Sequence, residues 1–413
     1  MLFRRVVDGV PVTGSLKEAS VSLAEDERYV VSWDLGGRLY SAWRFNHTWR
    51  RGLNGDVLYK WRDEDDGSGR SSRGYDDRRR RTLGAAEAAP VVDEAARFAA
   101  RALEAMQASP GSWAGSEQAD GWDVFVERIA ACARFDAAAA ADDASRFATL
   151  YRPVGILPPD QYLSVVLQAT EGCSFGTCTF CDLYHDGYRV KGPREFADHV
   201  RGVVEYLGES IALRRRSVFL GAANALAIPM PRLVELFEAL RAAFPPPLPP
   251  VRAFVDAFTG VRKGESDYRR LGALGLGRVY IGLESGHDPL LAFVRKPGTS
   301  GEAIDAVRAI KAAGLPVGVI AMIGLGGETF ASAHVEDTAR AINAMGLGEG
   351  DLVYFSDLVE VPGTAYPVIA RDASLRPLDL SGRLSQLAAL RARLSFPGRP
   401  PQFARYDVRE FVY

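Results

Sequence analysis

The sequence predicts an α/β fold, with a parallel sheet whose strands alternate with covering helices, behind a smaller segment rich in hairpin signals. Three observations carry this. From about residue 160 onward, short apolar runs alternate with stretches of helical period. Between residues 28 and 62 the chain is aromatic and β-branched, punctuated by Asp34-Leu35-Gly36-Gly37 and Asn54-Gly55, which read as hairpin turns. The composition is ordinary for a globular chain, with 413 residues, 47% hydrophobic and 25% charged, and it excludes a disordered or fibrous protein. At about 150 residues per domain, that length suggests two or three domains.

Residues 1–150 form the expected N-terminal accessory domain, β hairpins followed by Ala-rich helices. Residues 28–62 predict an antiparallel sheet of about three strands, with Trp33, Trp43, Trp49 and Trp61 as its core; a substrate platform is the sharper alternative. Residues 63–81 are charged and poor in apolar side chains. They read as a solvated loop, and the run Arg78 to Arg81 as a phosphate or RNA patch is the minor alternative. Residues 85–149 read as helices, broken near Pro110-Gly111.

Residues 151–370 form the expected core. Strands are predicted at 163–169, 217–222, 251–257, 278–284, 316–324 and 351–360. Helices fall between and after them at 194–208, 230–244, 263–274, 288–294, 301–313 and 330–345. Phe196, Val200, Val203, Val204 and Leu207 carry the helical spacing of the first helix, and Gly314 caps the fifth. Strands this apolar belong in a parallel sheet covered on both faces. Such units close into a full or partial barrel or form an open doubly wound sheet. In either case the functional residues sit at the C-terminal ends of the strands. Residues 371–413 supply a further helix, 378–394, and an aromatic tail.

Lys plus Arg number 50 against 52 Asp plus Glu, a net charge of −2, so the chain lacks the general basic field of a nucleic-acid binder. RNA is therefore not the expected partner. No apolar run of about 18 residues and no secretory leader is present, which predicts a cytoplasmic protein without a membrane partner. Four cysteines are too few for a disulfide scaffold of this size, and three of them lie within nine residues, which points to a metal.

Those three, Cys173, Cys178 and Cys181, follow the first core strand with the spacing Cys-x4-Cys-x2-Cys. Gly172 and Gly176 let the backbone wrap closely. Thiolates on one short loop suit an iron–sulfur cluster or zinc, although a closed zinc site normally has four ligands. The fourth cysteine, Cys132, lies far upstream in an Ala-rich helical stretch and reads as a buried free thiol. A three-cysteine 4Fe–4S cluster leaves one iron open to a substrate or cofactor. Tyr184 and His185 in the same loop, and Asp256 at the mouth of the third strand, are the candidate substrate-side groups. Arg295 and Lys296 read as a solvated helix end.

The loop resembles the cluster loop of the radical S-adenosylmethionine (radical SAM) superfamily, whose commonest spacing is Cys-x3-Cys-x2-Cys. Here the first gap is one residue longer, and Phe180 fills the aromatic place before the last cysteine. The resemblance extends over roughly residues 160–365. FLGAANALAIP (219–229) is similar to the segment that receives the amino group of SAM, which implies that role for Gly221, Ala222, Ala223 and Asn224. YIGLESGHDP resembles the strand end that contacts ribose or the amino-acid part of SAM, with Glu284 and Ser285 in the matching places. VIAMIGLGGETF resembles the adenine-flanking segment, with Ile323 and Gly324. The resemblance implies a partial (β/α)6 TIM-like barrel, a 4Fe–4S cluster on Cys173, Cys178 and Cys181, and SAM as cofactor. It implies reductive cleavage of SAM to a 5′-deoxyadenosyl radical, with an external flavodoxin- or ferredoxin-type electron donor and a small-molecule substrate. Transfer of a 3-amino-3-carboxypropyl group from SAM is the enzymatic alternative, and a metal-stabilised binding protein is the non-enzymatic one. No further cysteine group suggests an auxiliary cluster, and no Asp-x-His-x-x-Gly element suggests cobalamin.

Overall fold

The computed structural model describes every residue except 27, 63–77, 110–112, 116–118, 185, 261 and 362. The chain divides into two compact units, Met1–Tyr151 with Gly202–Arg215 and Arg409–Tyr413, and Arg152–Arg201 with Arg216–Val408. No helix among the described residues is long and apolar enough to cross a membrane.

The first unit holds an eight-stranded antiparallel meander whose strands pair in chain order from Leu2–Val7 to Arg79–Leu83. This exceeds the expected three strands. The added strands at the start, such as LFRRVV, alternate exposed and covered residues, so their apolar signal is diluted by arginine and serine. Residues 63–77 of the expected loop lie outside the described residues, and the end of the arginine run is not a loop. Arg79–Leu83 is the edge strand paired with Val57–Trp61, Arg80 is ion-paired with Glu410, and Arg81 with Glu87. One face of the sheet carries Phe3, Leu23, Val31 and Trp33 into a core closed by Val92, Phe98 and Ala99 of helix Ala85–Ala108. The alanine stripe of that helix permits close approach to the sheet, and truncating a side chain as buried as Phe98 costs about 3–5 kcal/mol. Cys132 lies in this core with no exposure and is a free thiol.

The second unit is built on a seven-stranded, all-parallel sheet. In chain order its strands are Val165–Gln168, Val218–Gly221, Val251–Val255, Leu276–Glu284, Val317–Ile323, Leu352–Asp357 and Gln402–Tyr406, each hydrogen-bonded to the next. Strands one and seven are the edges, so this is the partial-barrel arrangement. The first six are the expected strands. The seventh comes from the aromatic tail and pairs Val353 with Phe403 and Ser356 with Tyr406. Strands five and six are buried at every position, as a sheet covered on both faces requires. The helices expected at 230–244, 301–313 and 330–345 form at Met230–Ala243, Ser300–Ala312 and Gly327–Ala344. The second of these is started by a Thr299–Glu302 capping box.

The N-terminal end of the sheet's inner face is filled. Phe219 and Phe254 meet edge to face at 5.1 Å, and Tyr280 lies 6.0 Å from Phe254. Gly318 is required there, because a Cβ on it would stand 2.3 Å from the Tyr280 ring. Asp160 accepts hydrogen bonds from Tyr280 Oη (2.5 Å), Tyr354 Oη (2.7 Å) and Arg278 (3.1 Å) and so seals this floor. A cavity opens toward the C-terminal ends of the strands.

Candidate active site

The cysteine loop leaves the first strand through Gly172, whose φ of +67° is the left-handed conformation that glycine adopts without cost. A Cβ there would also sit 2.2 Å from the Asp186 carbonyl oxygen, so the entry to the loop tolerates no side chain. Threonines pin its middle. Thr179 donates its N–H (3.0 Å) and hydroxyl (3.2 Å) to the Val294 carbonyl, Thr177 donates to the Arg295 carbonyl (3.0 Å), and the Tyr366 N–H donates to the Thr179 carbonyl (2.8 Å). Phe180 packs on the cluster of Leu290, Val294, Met322 and Tyr366.

These contacts bring Cys173, Cys178 and Cys181 to the rim of one cavity of about 230 Å³ at the strand ends. Tyr184, Ala223, Asp256 and Glu284 also line it. Its remaining wall is largely apolar, with Phe254, Ile320, Met322, Val359 and Val361. All three thiols are free. Burial pushes the Cys178 thiol up to about 12, with Lys296 pulling the other way, and burial also raises Cys181. Thiols so placed become thiolates when a metal neutralises them.

Asn224 and Asp256 form one polar knot. The Asn224 amide N–H donates to the Asp256 carboxylate, to Ser174 Oγ (3.2 Å) and to Thr259 Oγ1 (3.1 Å), while Asn224 Oδ1 accepts the Asp256 N–H (3.1 Å). Ser174, next to Cys173, donates to Asp256 at 3.1 Å, so the knot ties the cysteine loop to strands two and three. Burial raises the Asp256 carboxyl, and Lys296 and Ser174 draw it back.

Glu284 ends strand four at φ +58°, beside a register shift against strand five. This left-handed conformation is strained for a non-glycine residue and is held by its surroundings. Its Oε1 lies 3.8 Å from Lys296 Nζ, with the two side chains only 15% and 13% exposed. Gly282 leaves room for the pair, since a Cβ there would stand 2.3 Å from Glu284 Oε1. Burial raises the Glu284 carboxyl against the pull of Lys296. Burial opposes the Lys296 ammonium, but Glu284, Cys178 and Asp256 together raise its pKa. Lys296 is therefore a buried cavity group and not the solvated helix end expected from the sequence, whereas Arg295 is not among the cavity-lining residues.

The other expected residues are distributed differently. Gly221 and Ala222 border a small adjoining cavity with Gln168 and Tyr184, and the Ala222 N–H is donated to Thr170 Oγ1 (2.8 Å). Tyr184 lines both cavities, and its ring covers Gly155. Ser285 has no exposure; its hydroxyl lies 2.7 Å from His334 Nδ1 and accepts the His287 N–H (3.0 Å). The His334 Nε2–H donates to the Met322 carbonyl (2.9 Å), which leaves Nδ1 as the acceptor for Ser285 and fixes the tautomer. Ser285 is thus a strut between strands four and five beneath Glu284. Ile323 is fully buried with its carbonyl accepting the Leu358 N–H (2.9 Å), and the Gly324 N–H is donated to Gln386 (2.7 Å). Their strand neighbours Ile320 and Met322 reach the cavity instead. His185 lies outside the described residues.

Among the described residues no three His, Cys, Asp or Glu side chains converge closely enough to cage a single ion. Three thiols spaced along one cavity, with no fourth cysteine beside them, suit a larger body that takes one thiolate at each of three corners and keeps a fourth open.

A thiol triad at the mouth of a partial parallel barrel is a donor set suited to an iron–sulfur cluster. Residues 167–342 match the family model of the radical SAM superfamily, and this part of the chain is a radical SAM domain. Domains of this superfamily bind a 4Fe–4S cluster and SAM, and the donor set described above fits that cluster. No curated protein matches the sequence. Among solved structures, the chain is similar to the cobalamin-dependent S-adenosylmethionine radical enzyme OxsB (15% identity, TM-score 0.36, covering 51% of this chain and 30% of that one). It is also similar to coproporphyrinogen III oxidase (HemN) from Escherichia coli (14%, 0.41, 60% and 54%). A third is methylornithine synthase, PylB (13%, 0.39, 62% and 67%). The chain spans about a third of the length of OxsB.

Proposed function

We propose that this protein is a radical SAM enzyme that reductively cleaves SAM and uses the product radical to abstract hydrogen from a small-molecule substrate. The observation that carries the reading is the meeting of three free thiols, a buried Lys296–Glu284 pair and the Asn224–Asp256 knot on one apolar-walled cavity at the strand ends. When bound, the cluster and SAM supply, after one electron from an external donor, a 5′-deoxyadenosyl radical that takes a hydrogen atom from a substrate C–H bond.

This chain's residues hold and shield the reactants. Cys173, Cys178 and Cys181 would hold the cluster and would leave it a site for the amino and carboxylate groups of SAM. Lys296 and Glu284 offer one charge of each sign to that zwitterionic end. Asn224 fixes Asp256 in place, so the knot positions the loop before any ligand arrives. Ile320, Met322 and Val361 wall the cavity with apolar surface, which excludes water and confines the bound reactants.

The test is anaerobic reconstitution with iron and sulfide, addition of a strong reductant and SAM, and identification of the SAM fragments by mass spectrometry. The expected product is 5′-deoxyadenosine, lost in Cys178→Ala. Methylthioadenosine in its place would establish 3-amino-3-carboxypropyl transfer. Intact SAM beside a fully loaded cluster would overturn the enzymatic reading in favour of a metal-stabilised binding protein.

A further inference from the structure

The cysteine loop leaves strand one and the turn at 324–327 leaves strand five, and among the described residues no hydrogen bond joins the two directly. One residue reaches both. Tyr366 opens helix Tyr366–Asp372, beyond the residues 167–342 that match the family model. Its N–H donates to the Thr179 carbonyl (2.8 Å), in the short stretch between Cys178 and Cys181. Its phenol oxygen accepts the Gly326 N–H (2.9 Å). The residue is buried and packs with Leu290, Val294, Met322 and Leu325. Phe180 packs against the same group, and Phe180 and Met322 both line the cavity.

The phenol bond meets a need of the turn. Gly326 stands at φ +78° directly before helix Gly327–Ala344, where a backbone N–H has no partner within the helix. A second contact holds the turn independently. The Glu328 N–H donates to the Arg376 carbonyl (2.9 Å), and Gly327 makes room for it, since a Cβ there would stand 2.2 Å from that oxygen. Of these two anchors only Tyr366 leads back to the cysteines. Tyrosine has two side-chain torsions, and burial restricts both, so its N–H and its phenol oxygen move as one piece.

We infer that Tyr366 is a positioning residue that couples the cysteine loop to the strand-five turn, so that loading the cluster orders one wall of the SAM site before SAM arrives. The inference rests on the radical SAM reading above and adds an order of assembly to it. With Cys178 and Cys181 both held by a cluster, the Thr179 carbonyl between them is fixed. That keeps the Tyr366 N–H in place and its oxygen on the Gly326 N–H. Without the cluster the loop opens more often, and each opening releases the turn as well. The strand-five segment is the adenine-flanking one in the radical SAM resemblance, so SAM meets a preformed wall only on the loaded protein.

The experiment is hydrogen–deuterium exchange of the full chain without SAM, apo and anaerobically reconstituted, resolved to single amides by electron-transfer fragmentation in the mass spectrometer. In the parent, loading is expected to slow exchange of the Gly326 N–H by about two- to tenfold, the worth of one neutral hydrogen bond held in place. Tyr366→Phe keeps the ring and the bond to Thr179 but loses the oxygen. It should load as much iron as the parent and show no slowing at Gly326. The Glu328 N–H, held by Arg376, should exchange alike in parent and variant. SAM affinity of the loaded variant, measured by calorimetry, should fall about two- to tenfold. A parent whose Gly326 exchanges equally with and without the cluster, a variant in which loading still slows it, or an unchanged SAM affinity overturns the inference. If the parent loads iron and cleaves SAM but Gly326 does not respond, only the coupling is wrong. If the parent binds no cluster or leaves SAM intact, the radical SAM reading fails and the coupling with it.

Discussion

Replacing Lys296 by methionine is expected to destabilise the second unit by about 3 kcal/mol, the cost of stranding one charge of a buried pair. The ammonium lies 3.8 Å from Glu284 Oε1, with both side chains largely covered. At an effective dielectric constant of about 20, two unit charges at that distance attract by about 4 kcal/mol. Losing one partner leaves the other uncompensated, and such losses run to about 3–5 kcal/mol. The lower end applies here, because the Glu284 carboxyl, already raised by burial, escapes part of the penalty by taking up a proton. Lys296→Met with Glu284→Gln buries neither charge and should lie within about 1 kcal/mol of the parent, so the single losses do not add and the coupling in the double-mutant cycle is at least about 2 kcal/mol. All six tryptophans lie in the first unit, so their fluorescence does not report on this change. The assay is native-state hydrogen exchange of the amides of Val317–Ile323, a fully buried interior strand. A coupling below about 0.5 kcal/mol would match independent sites and refute the pairing that places Lys296 in the cavity.

Three further outcomes follow from the same geometry. Gly172→Ala puts a methyl group 2.2 Å from the Asp186 carbonyl at φ +67°; bound iron per chain after reconstitution should fall by more than about half while the circular dichroism stays unchanged. Asn224→Ala orphans the Asp256 N–H and frees its carboxylate, a loss of about 1–3 kcal/mol at the site; SAM affinity by calorimetry should drop at least about tenfold with iron content preserved. Burial lowers the His334 pKa from 6.5 to about 4, so the unfolded chain binds the extra proton between these values. Stability is then fully present above pH 6.5 and lost as pH falls toward 4, by about 3 kcal/mol in all, and His334→Gln should flatten that slope in urea titrations.

The core strands were legible because each is an apolar run between a helix cap and a Gly- or Asp-bearing turn. VGVIAMI and LVYFSD have no exposed position to blur the signal. The seventh strand, QFARY, was not, because it is an edge strand of alternating exposure that reads as tail. The same dilution hid most of the N-terminal meander. At the site, cysteine spacing marks a metal without tertiary information, Asp256 follows from its place at a strand end, and Glu284 follows from the radical SAM resemblance. Lys296 was hidden because a lysine after a short helix is usually solvated, and only the fold turns it toward Glu284. Ser285 shows the reverse limit: serine carries no directional signal in sequence, so a matching motif could not show that its hydroxyl is tied up by His334.

The central claim is that the thiol triad holds a cluster whose open iron meets SAM inside this cavity. It is tested most directly by the electron paramagnetic resonance spectrum of the reduced, reconstituted protein, recorded before and after SAM is added at low temperature. The account predicts a 4Fe–4S signal that changes shape with SAM, absent in Cys178→Ala and insensitive to SAM once Lys296 and Glu284 are both replaced. A cluster signal identical with and without SAM would contradict it, for SAM would then not reach the iron that the three cysteines leave open.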